Sequence, residues 1–154
     1  MLSLSHHPER SVIMSGVEDS LRILRSKGYR VTQPRKLVLK VLERAEGPVS
    51  PYDIQKILQQ EGERLNHVTI YRILDLFCLL NLAHKVLLCG GFVKCALGKR
   101  EGCHRFMVCR QCGALREFAD KALCEEESAI ARDFGFVAEH HFSEFFGLCS
   151  NCNS

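Results

Sequence analysis

The sequence has no long apolar run and no recognisable targeting segment. The nearest candidate, residues 74–82, is interrupted by Asp75 and Asn81 and falls short of the ~18 residues that cross a bilayer. Residues 1–8 contain neither the basic nor the apolar stretch that begins a secretory signal. We therefore expect a cytoplasmic protein. In that reducing compartment, paired cysteines bind metal more often than they form disulfides.

Catalytic motifs are missing as well. The chain contains no His-Glu-x-x-His, no nucleophile elbow and no phosphate-binding loop. We therefore do not expect an enzyme.

Acidic residues are absent from residues 21–42, where seven basic residues occur. Residues 1–85 carry 13 Lys/Arg and 9 Asp/Glu, whereas residues 86–154 carry 8 and 9. A basic stretch is often only a solvated helix face, and charge alone leaves that interpretation open. A basic half joined to a cysteine-rich half still favours an anionic partner at one end and regulation at the other.

Two Cys-x-x-Cys pairs, separated by 36 residues, are the strongest local signal: Cys109 with Cys112, and Cys149 with Cys152. Each pair fits a tight turn with both sulfurs on one side, and two such turns supply the tetrahedron of a structural Zn²⁺. Two disulfides or a redox motif are the alternatives. A redox motif needs only one pair, followed by a βαβ pattern that this sequence lacks.

The first half has helical periodicity followed by two short strand-like runs around Gly90-Gly91. Thr32 and Asn66 are expected to cap the second and fourth helices, and Ser50 with Pro51 and Asp53 is expected to begin the third. This order predicts a winged helix-turn-helix, whose last helix enters the DNA major groove. The predicted helices cover residues 17–27, 33–46, 51–61 and 67–80, and the predicted strands cover 84–88 and 92–96.

The second half predicts a small α/β domain. Short strands flank the first cysteine pair, and a helix and an aromatic strand follow, at residues 106–109, 115–118, 120–134 and 136–146. Its aromatic surface is expected to pair with a second copy. The whole is therefore an α+β chain: a flexible start (1–16), a winged-helix domain (17–96), a hinge (97–102) and a dimerisation domain stabilised by the four-cysteine zinc site (103–154).

Four motifs occur in order along the chain: Thr32-Gln-Pro-Arg35, Tyr52-Asp53-Ile54, Thr69-Ile-Tyr71-Arg72 and Cys109-x-x-Cys112-Gly113. In this combination the chain resembles the ferric uptake regulator superfamily of bacterial metal-responsive repressors. The Ser50-x-Tyr52-Asp53 start and the Gly147-Leu148-Cys149-x-x-Cys152 ending are most similar to the zinc uptake regulators.

The resemblance and groove chemistry together predict a DNA-reading face. Arg72 is expected to contact a base through its guanidinium. The resemblance implies that Tyr52 packs on a thymine methyl. Tyr71 would reach a phosphate, unless it is a buried core ring, and Arg72 could instead pair with Asp75. The residues expected to contact DNA phosphates are Thr69, Arg35 and Lys36.

A second metal site is predicted between the hairpin and the second domain. Its candidate ligands are His84, Cys95, Cys103 or His104, and Glu117. The choice between Cys103 and His104 stays open. One ion held by all of them would fix the angle between the domains, and its thiolate favours Zn²⁺ over Fe²⁺ or Mn²⁺. The remaining cysteines, Cys78, Cys89 and Cys124, are expected to be buried as small apolar residues.

These features predict a homodimeric, zinc-responsive repressor of zinc uptake genes that binds double-stranded operator DNA. Each subunit would hold one structural and one regulatory Zn²⁺. The alternative is the same DNA-binding fold with another metal or thiol oxidation as its trigger. Arg105 and Phe106 occupy two places where the resemblance leads us to expect histidines in iron or peroxide sensors, which argues against a third metal site.

Overall fold

The computed structural model of the chain describes residues 16–97, 103–139 and 143–154. The predicted flexible start (1–16) and hinge (97–102) therefore lie almost wholly outside the described residues. The N-terminal unit, residues 16–97, contains four helices and an antiparallel hairpin that we call the wing. Its elements are α1 (Val17–Ser26), α2 (Gln33–Arg44), α3 (Pro51–Gln60), α4 (His67–Leu79), β1 (Ala83–Val86) and β2 (Gly91–Lys94).

Two of the four helix starts in the N-terminal unit are fixed by side-chain caps. Ser50 Oγ accepts a hydrogen bond from the Asp53 amide at 3.1 Å, and the Asp53 carboxylate accepts one from the Ser50 amide at 2.9 Å. Asn66 caps α4 by accepting from the Thr69 amide at 2.7 Å. Thr32 occupies the N-cap position of α2 as predicted, but its side chain makes no capping hydrogen bond. Pro34 has no N–H, which removes one of the two donors that a cap in this place uses.

The four helices pack around one apolar core that also includes Phe92 of the wing. The wing is joined to the loop before α3 by reciprocal backbone hydrogen bonds between Val49 and Phe92, of 3.0 and 2.8 Å. A Cβ at Gly91 would lie 2.8 Å from the Pro48 Cβ, so glycine is required for this close approach. The wing is therefore fixed to the helical part of the unit.

The C-terminal unit, residues 103–139 and 143–154, contains a three-stranded sheet and one helix. Strand β3 (His104–Cys109) is central, with β4 (Leu115–Ala119) antiparallel on one side and β5 (Glu144–Gly147) parallel on the other. The buried Arg105 of β3 forms a bidentate ion pair with Glu127, which attaches the helix to the sheet. The helix is α5 (Lys121–Asp133).

The aromatic strand predicted over 136–146 is much shorter in the structure. Only Glu144–Gly147 pairs with β3, along the four positions Phe106–Cys109. Phe136 and Val137 lie outside the sheet, 71% and 87% exposed. Residues 140–142 of the predicted strand lie outside the described residues.

The helices and strands confirm the predicted α+β fold class. In the described parts of the chain, no helix combines the length and apolarity that crossing a membrane would require.

Candidate functional site

The two Cys-x-x-Cys turns meet at one end of the C-terminal sheet. We call Cys109, Cys112, Cys149 and Cys152 the four-cysteine cluster, and their sulfurs all lie within 4.8 Å of one another. The Cys112 and Cys149 sulfurs are 3.7 Å apart. Thiolates bound tetrahedrally to Zn²⁺ are separated by about 3.8 Å, so the spacing suits that ion.

Local backbone geometry positions these sulfurs. Cys109 ends β3, and Cys149 follows two residues after β5, so the parallel pairing of the strands brings the two turns together. Gly113, with φ of +73°, closes the first turn by donating to the Cys109 carbonyl at 3.0 Å. Hydrogen bonds from the backbone amides of Cys112 and Cys149 lower the pKa of the Cys109 thiol to about 6. The thiolate form that metal binding requires is therefore favoured at Cys109, whereas hydrogen bonds with Cys149 and Cys112 raise the pKa of the Cys152 thiol to about 12.

A second cluster lies where the wing meets the C-terminal sheet. His84 comes from β1 and Cys95 follows β2, whereas His104 begins β3 and Glu117 lies in β4. Their ligand atoms all lie within 4.8 Å of one another. We call these four residues the sensing cluster. Both units of the chain contribute to it.

The distances in the sensing cluster suit a four-coordinate cation. The Cys95 sulfur lies 3.6 Å from His104 Nδ1 and 3.7 Å from Glu117 Oε1. His104 Nδ1 lies 2.9 Å from His84 Nε2 and 2.7 Å from Glu117 Oε1. A tetrahedral zinc ion holds such atoms about 3.3–3.8 Å apart, so the imidazoles and the carboxylate need to move by only about half an ångström.

The ionisation of these groups agrees with that chemistry. Burial opposes ionisation of Glu117, but hydrogen bonds from His104 and His84 outweigh it and lower the pKa to about 2. Burial likewise opposes ionisation of Cys95, yet hydrogen bonds from the same two histidines lower the thiol pKa to about 7. The pKa of His104 rises to about 10 through its bonds to Cys95 and Glu117. Two anionic ligands thus face two imidazoles, a set that a divalent cation can bind in place of the protons.

The carboxylate of Glu117 is held in place by the segment that follows the wing. Its Oε2 accepts a hydrogen bond from the Ala96 amide at 2.8 Å, which leaves Oε1 directed at both histidines. Such an outer contact orients a ligand for its metal.

Of the two candidates that the sequence left open, the structure places His104 in the sensing cluster and leaves Cys103 outside it. Cys103 forms a disulfide with Cys124 of α5. As the residue before β3, Cys103 has its side chain on the opposite side from His104. Two further predictions are corrected: Cys124 is paired rather than a free apolar residue, and Cys89 is exposed in the wing turn. Cys78 is half-buried, and burial raises its pKa to about 11.

The predicted DNA-reading residues lie on α2, α3 and α4. Tyr52 is 68% exposed and Tyr71 is 41% exposed, so Tyr71 is not a buried core ring. Arg72 is exposed, and among the described residues it makes no ion pair with Asp75. The remaining three, Thr69, Arg35 and Lys36, are half-buried. The Arg35 guanidinium donates to the Arg30 carbonyl and lies over the Tyr29 ring, with its central carbon 5.8 Å from the ring centroid.

Sequence reasoning missed Val68 on the same face of α4. This side chain is 58% exposed and precedes Tyr71 and Arg72 by three and four positions, so all three share one side of the helix. An exposed valine beside an arginine on a groove-reading helix can contact a thymine methyl. Its spacing from Arg72 was the signal available in the sequence.

The C-terminal unit also exposes several large apolar side chains, which together we call its apolar surface. No residue of α5 is buried, and several large apolar side chains of α5, β3, β5 and the segment after α5 are about half exposed or more. They are Met107, Ile130, Phe134, Phe136, Val137, Phe145 and Phe146. A surface of this kind favours association with another protein chain.

The chain is similar to several known proteins. The ferric uptake regulator family model matches residues 26–146. The ferric uptake regulation protein of Bacillus subtilis (strain 168) is 31% identical over 134 residues, which cover 84% of this chain and 89% of that protein. The zinc uptake regulation protein of Escherichia coli (strain K12) is 26% identical over 145 residues, covering 94% and 85%.

A solved structure of a zinc uptake regulator in complex with zinc and DNA is also similar. It matches with a TM-score of 0.82 at 26% identity, covering 89% of this chain and 92% of that chain.

Proposed function

Because the chain belongs to the ferric uptake regulator family of metal-responsive transcriptional regulators, we propose that it is a zinc-responsive repressor. It binds operator DNA as a homodimer when the sensing cluster holds Zn²⁺, and it controls zinc uptake genes in the bacterial cytoplasm. Family membership also confirms that the chain is not an enzyme.

One observation carries the proposal: the four ligands of the sensing cluster come from two different units. A cation bound by His84 and Cys95 of the wing, and by His104 and Glu117 of the sheet, fixes the DNA-binding unit on the C-terminal unit. Metal thus stabilises one arrangement of the two units, and DNA selects the same arrangement. To shift a mostly open population to a mostly closed one, the ion must prefer the closed form by about 5 kcal/mol. Structural zinc sites supply on the order of 10 kcal/mol or more.

The choice of zinc rests on the ligand set. The named relatives include both iron and zinc regulators at similar identity, so overall similarity does not select the metal. One thiolate, two imidazoles and one carboxylate in a four-coordinate cluster suit Zn²⁺. Fe²⁺ and Mn²⁺ prefer sites without sulfur. The similar zinc- and DNA-bound regulator supports the same choice.

Two further assignments complete the proposal. The four-cysteine cluster holds a second, structural Zn²⁺ that fixes the turn after β3 to the end of β5. The apolar surface of the C-terminal unit pairs with a second copy, which presents two α4 helices to a pseudo-palindromic operator. On each α4, Arg72, Tyr71 and Thr69 face the DNA, with Tyr52, Arg35 and Lys36 beside them.

A second candidate trigger is thiol oxidation, which the Cys103–Cys124 disulfide favours. One experiment separates the two. DNA is selected from random duplexes by the zinc-loaded protein. Binding to it is then followed by fluorescence anisotropy at buffered free Zn²⁺, Fe²⁺ or Mn²⁺, and with peroxide at constant zinc.

We expect that Zn²⁺ alone, among these conditions, produces tight DNA binding, and that a very low free Zn²⁺ concentration is enough. Equal binding in a chelator, or binding governed by peroxide at constant zinc, would overturn the proposal.

A further inference from the structure

We infer that Glu144 is a positioning residue that holds the turn of the wing on the C-terminal sheet. Its two carboxylate oxygens accept hydrogen bonds from two consecutive backbone amides of the wing, Leu87 at 2.5 Å and Leu88 at 2.8 Å. This second connection between the units uses no metal ligand. The inference rests on the proposed function for its consequence, but not for its geometry.

The turn that Glu144 contacts is otherwise open to solvent. Leu87 and Leu88 are 58% and 52% exposed, and the next two residues are exposed as well. Hydrogen bonds to a charged acceptor are about twice as strong as neutral ones, and two adjacent amides on one carboxylate also fix its direction. Glu144 therefore holds a segment that has little apolar packing of its own.

Glu144 is itself held rigidly on the C-terminal side. It lies at the start of β5, in register with Phe106 of β3, and β5 leads directly to Cys149. The four-cysteine cluster fixes the other end of this short strand against Cys109. The structural site thus also positions the carboxylate that reaches the wing.

On the other side, the wing transmits this position to the DNA-reading helices. The Val49–Phe92 backbone pair joins β2 to the loop before α3, the helix that carries Tyr52. The wing also packs directly on the C-terminal sheet, because Val86 of β1 is fully buried against Phe106 and Val108. Glu144 and the sensing cluster therefore act on the same rigid wing from two places.

The direction in which DNA affinity changes when the carboxylate is removed distinguishes a positioning role from a general electrostatic one. Removing a carboxylate from a DNA-binding protein should leave DNA affinity unchanged or raise it, because the phosphates are anionic. Removing a positioning carboxylate should instead lower it. Glu139, an exposed glutamate of the C-terminal unit, provides the control for loss of a negative charge.

The test compares wild type with Glu144→Gln, Glu144→Asp and Glu139→Gln in the zinc-loaded full-length protein. Glu144→Asp keeps the charge but is too short to reach both amides. Amide hydrogen exchange at Leu87 and Leu88 is the direct readout, with operator affinity as the second. Retained zinc in the four-cysteine cluster verifies that each variant is folded.

We expect both Glu144 variants to speed exchange at the two amides and to weaken operator binding, each by about tenfold, whereas Glu139→Gln does neither. Exchange and affinity equal to those of Glu139→Gln would overturn the inference. Failure of the proposed function would give a different result, namely operator binding by the wild type that does not depend on zinc. In that case the exchange rates at Leu87 and Leu88 still decide the role of Glu144.

Discussion

Replacing His104 by alanine tests the composition of the sensing cluster, with Cys103→Ser as the matched control one residue away. The His104 Nδ1 atom lies 2.7 Å from Glu117, 2.9 Å from His84 and 3.6 Å from the Cys95 sulfur, so it contacts every other member. If four ligands share on the order of 10 kcal/mol, losing one costs about 3 kcal/mol, or roughly a hundredfold in zinc affinity. Cys103 lies outside the cluster, and its replacement removes only the disulfide to Cys124.

The assay is competition with a zinc chelator of known affinity, performed with the four-cysteine cluster loaded throughout. His104→Ala should release the sensing zinc at about a hundredfold higher free Zn²⁺, and operator binding should shift with it. Cys103→Ser should bind zinc within a few-fold of the wild type. Wild-type zinc affinity in His104→Ala, or a loss confined to Cys103→Ser, would refute the assignment.

Three further predictions concern other parts of the chain. Arg72→Ala should weaken operator binding by about 1–3 kcal/mol at fixed salt, whereas Lys36→Ala should mainly reduce the salt dependence, lowering its slope by about one. Unchanged operator affinity in Arg72→Ala would count against base contact. Ser50→Ala should destabilise the N-terminal unit by about 1 kcal/mol in denaturant unfolding, since it removes the cap of α3.

The hydrogen bond from Ser50 lowers the pKa of Asp53, so the stability that this carboxylate contributes is fully present above its ordinary pKa of 3.8. It is lost as the pH falls through the lowered value. A cost of Ser50→Ala that stayed constant down to the lowest pH would contradict this. Finally, Cys112→Ser should abolish zinc binding at the four-cysteine cluster and shift sedimentation from dimer toward monomer. A stable dimer without that zinc would separate the cluster from dimerisation.

Much of the fold could be predicted because its signals are local. Helix periodicity, the caps at Ser50 and Asn66, and the glycine turn of the wing each depend on a few neighbouring residues. Thr32 is the N-cap residue of α2 as its residue type predicts, but the side-chain hydrogen bond is missing, and Pro34 removes one of the donors it could use. The strand over 136–146 was too long because aromatic content indicates strand tendency but not how many positions the partner strand offers.

The sensing cluster could be predicted only as a set of candidates. Cys103 and His104 are adjacent and both are good zinc ligands, so spacing along the chain cannot separate them. The register of β3 against β4 decides: it puts His104 and Glu117 on the same face and turns Cys103 toward α5. The contact of Glu144 with the wing was beyond sequence reasoning, because it joins residues 56 and 57 positions apart through backbone amides that no side-chain pattern reveals.

The central claim is that zinc in the sensing cluster sets operator binding by joining the two units. The most direct measurement follows zinc occupancy of that cluster and operator anisotropy in one sample, as buffered free Zn²⁺ rises while the four-cysteine cluster stays loaded. The two curves should rise together in the wild type and move together to higher free Zn²⁺ in Cys95→Ser. Operator binding that stays flat while the sensing cluster fills would contradict the claim.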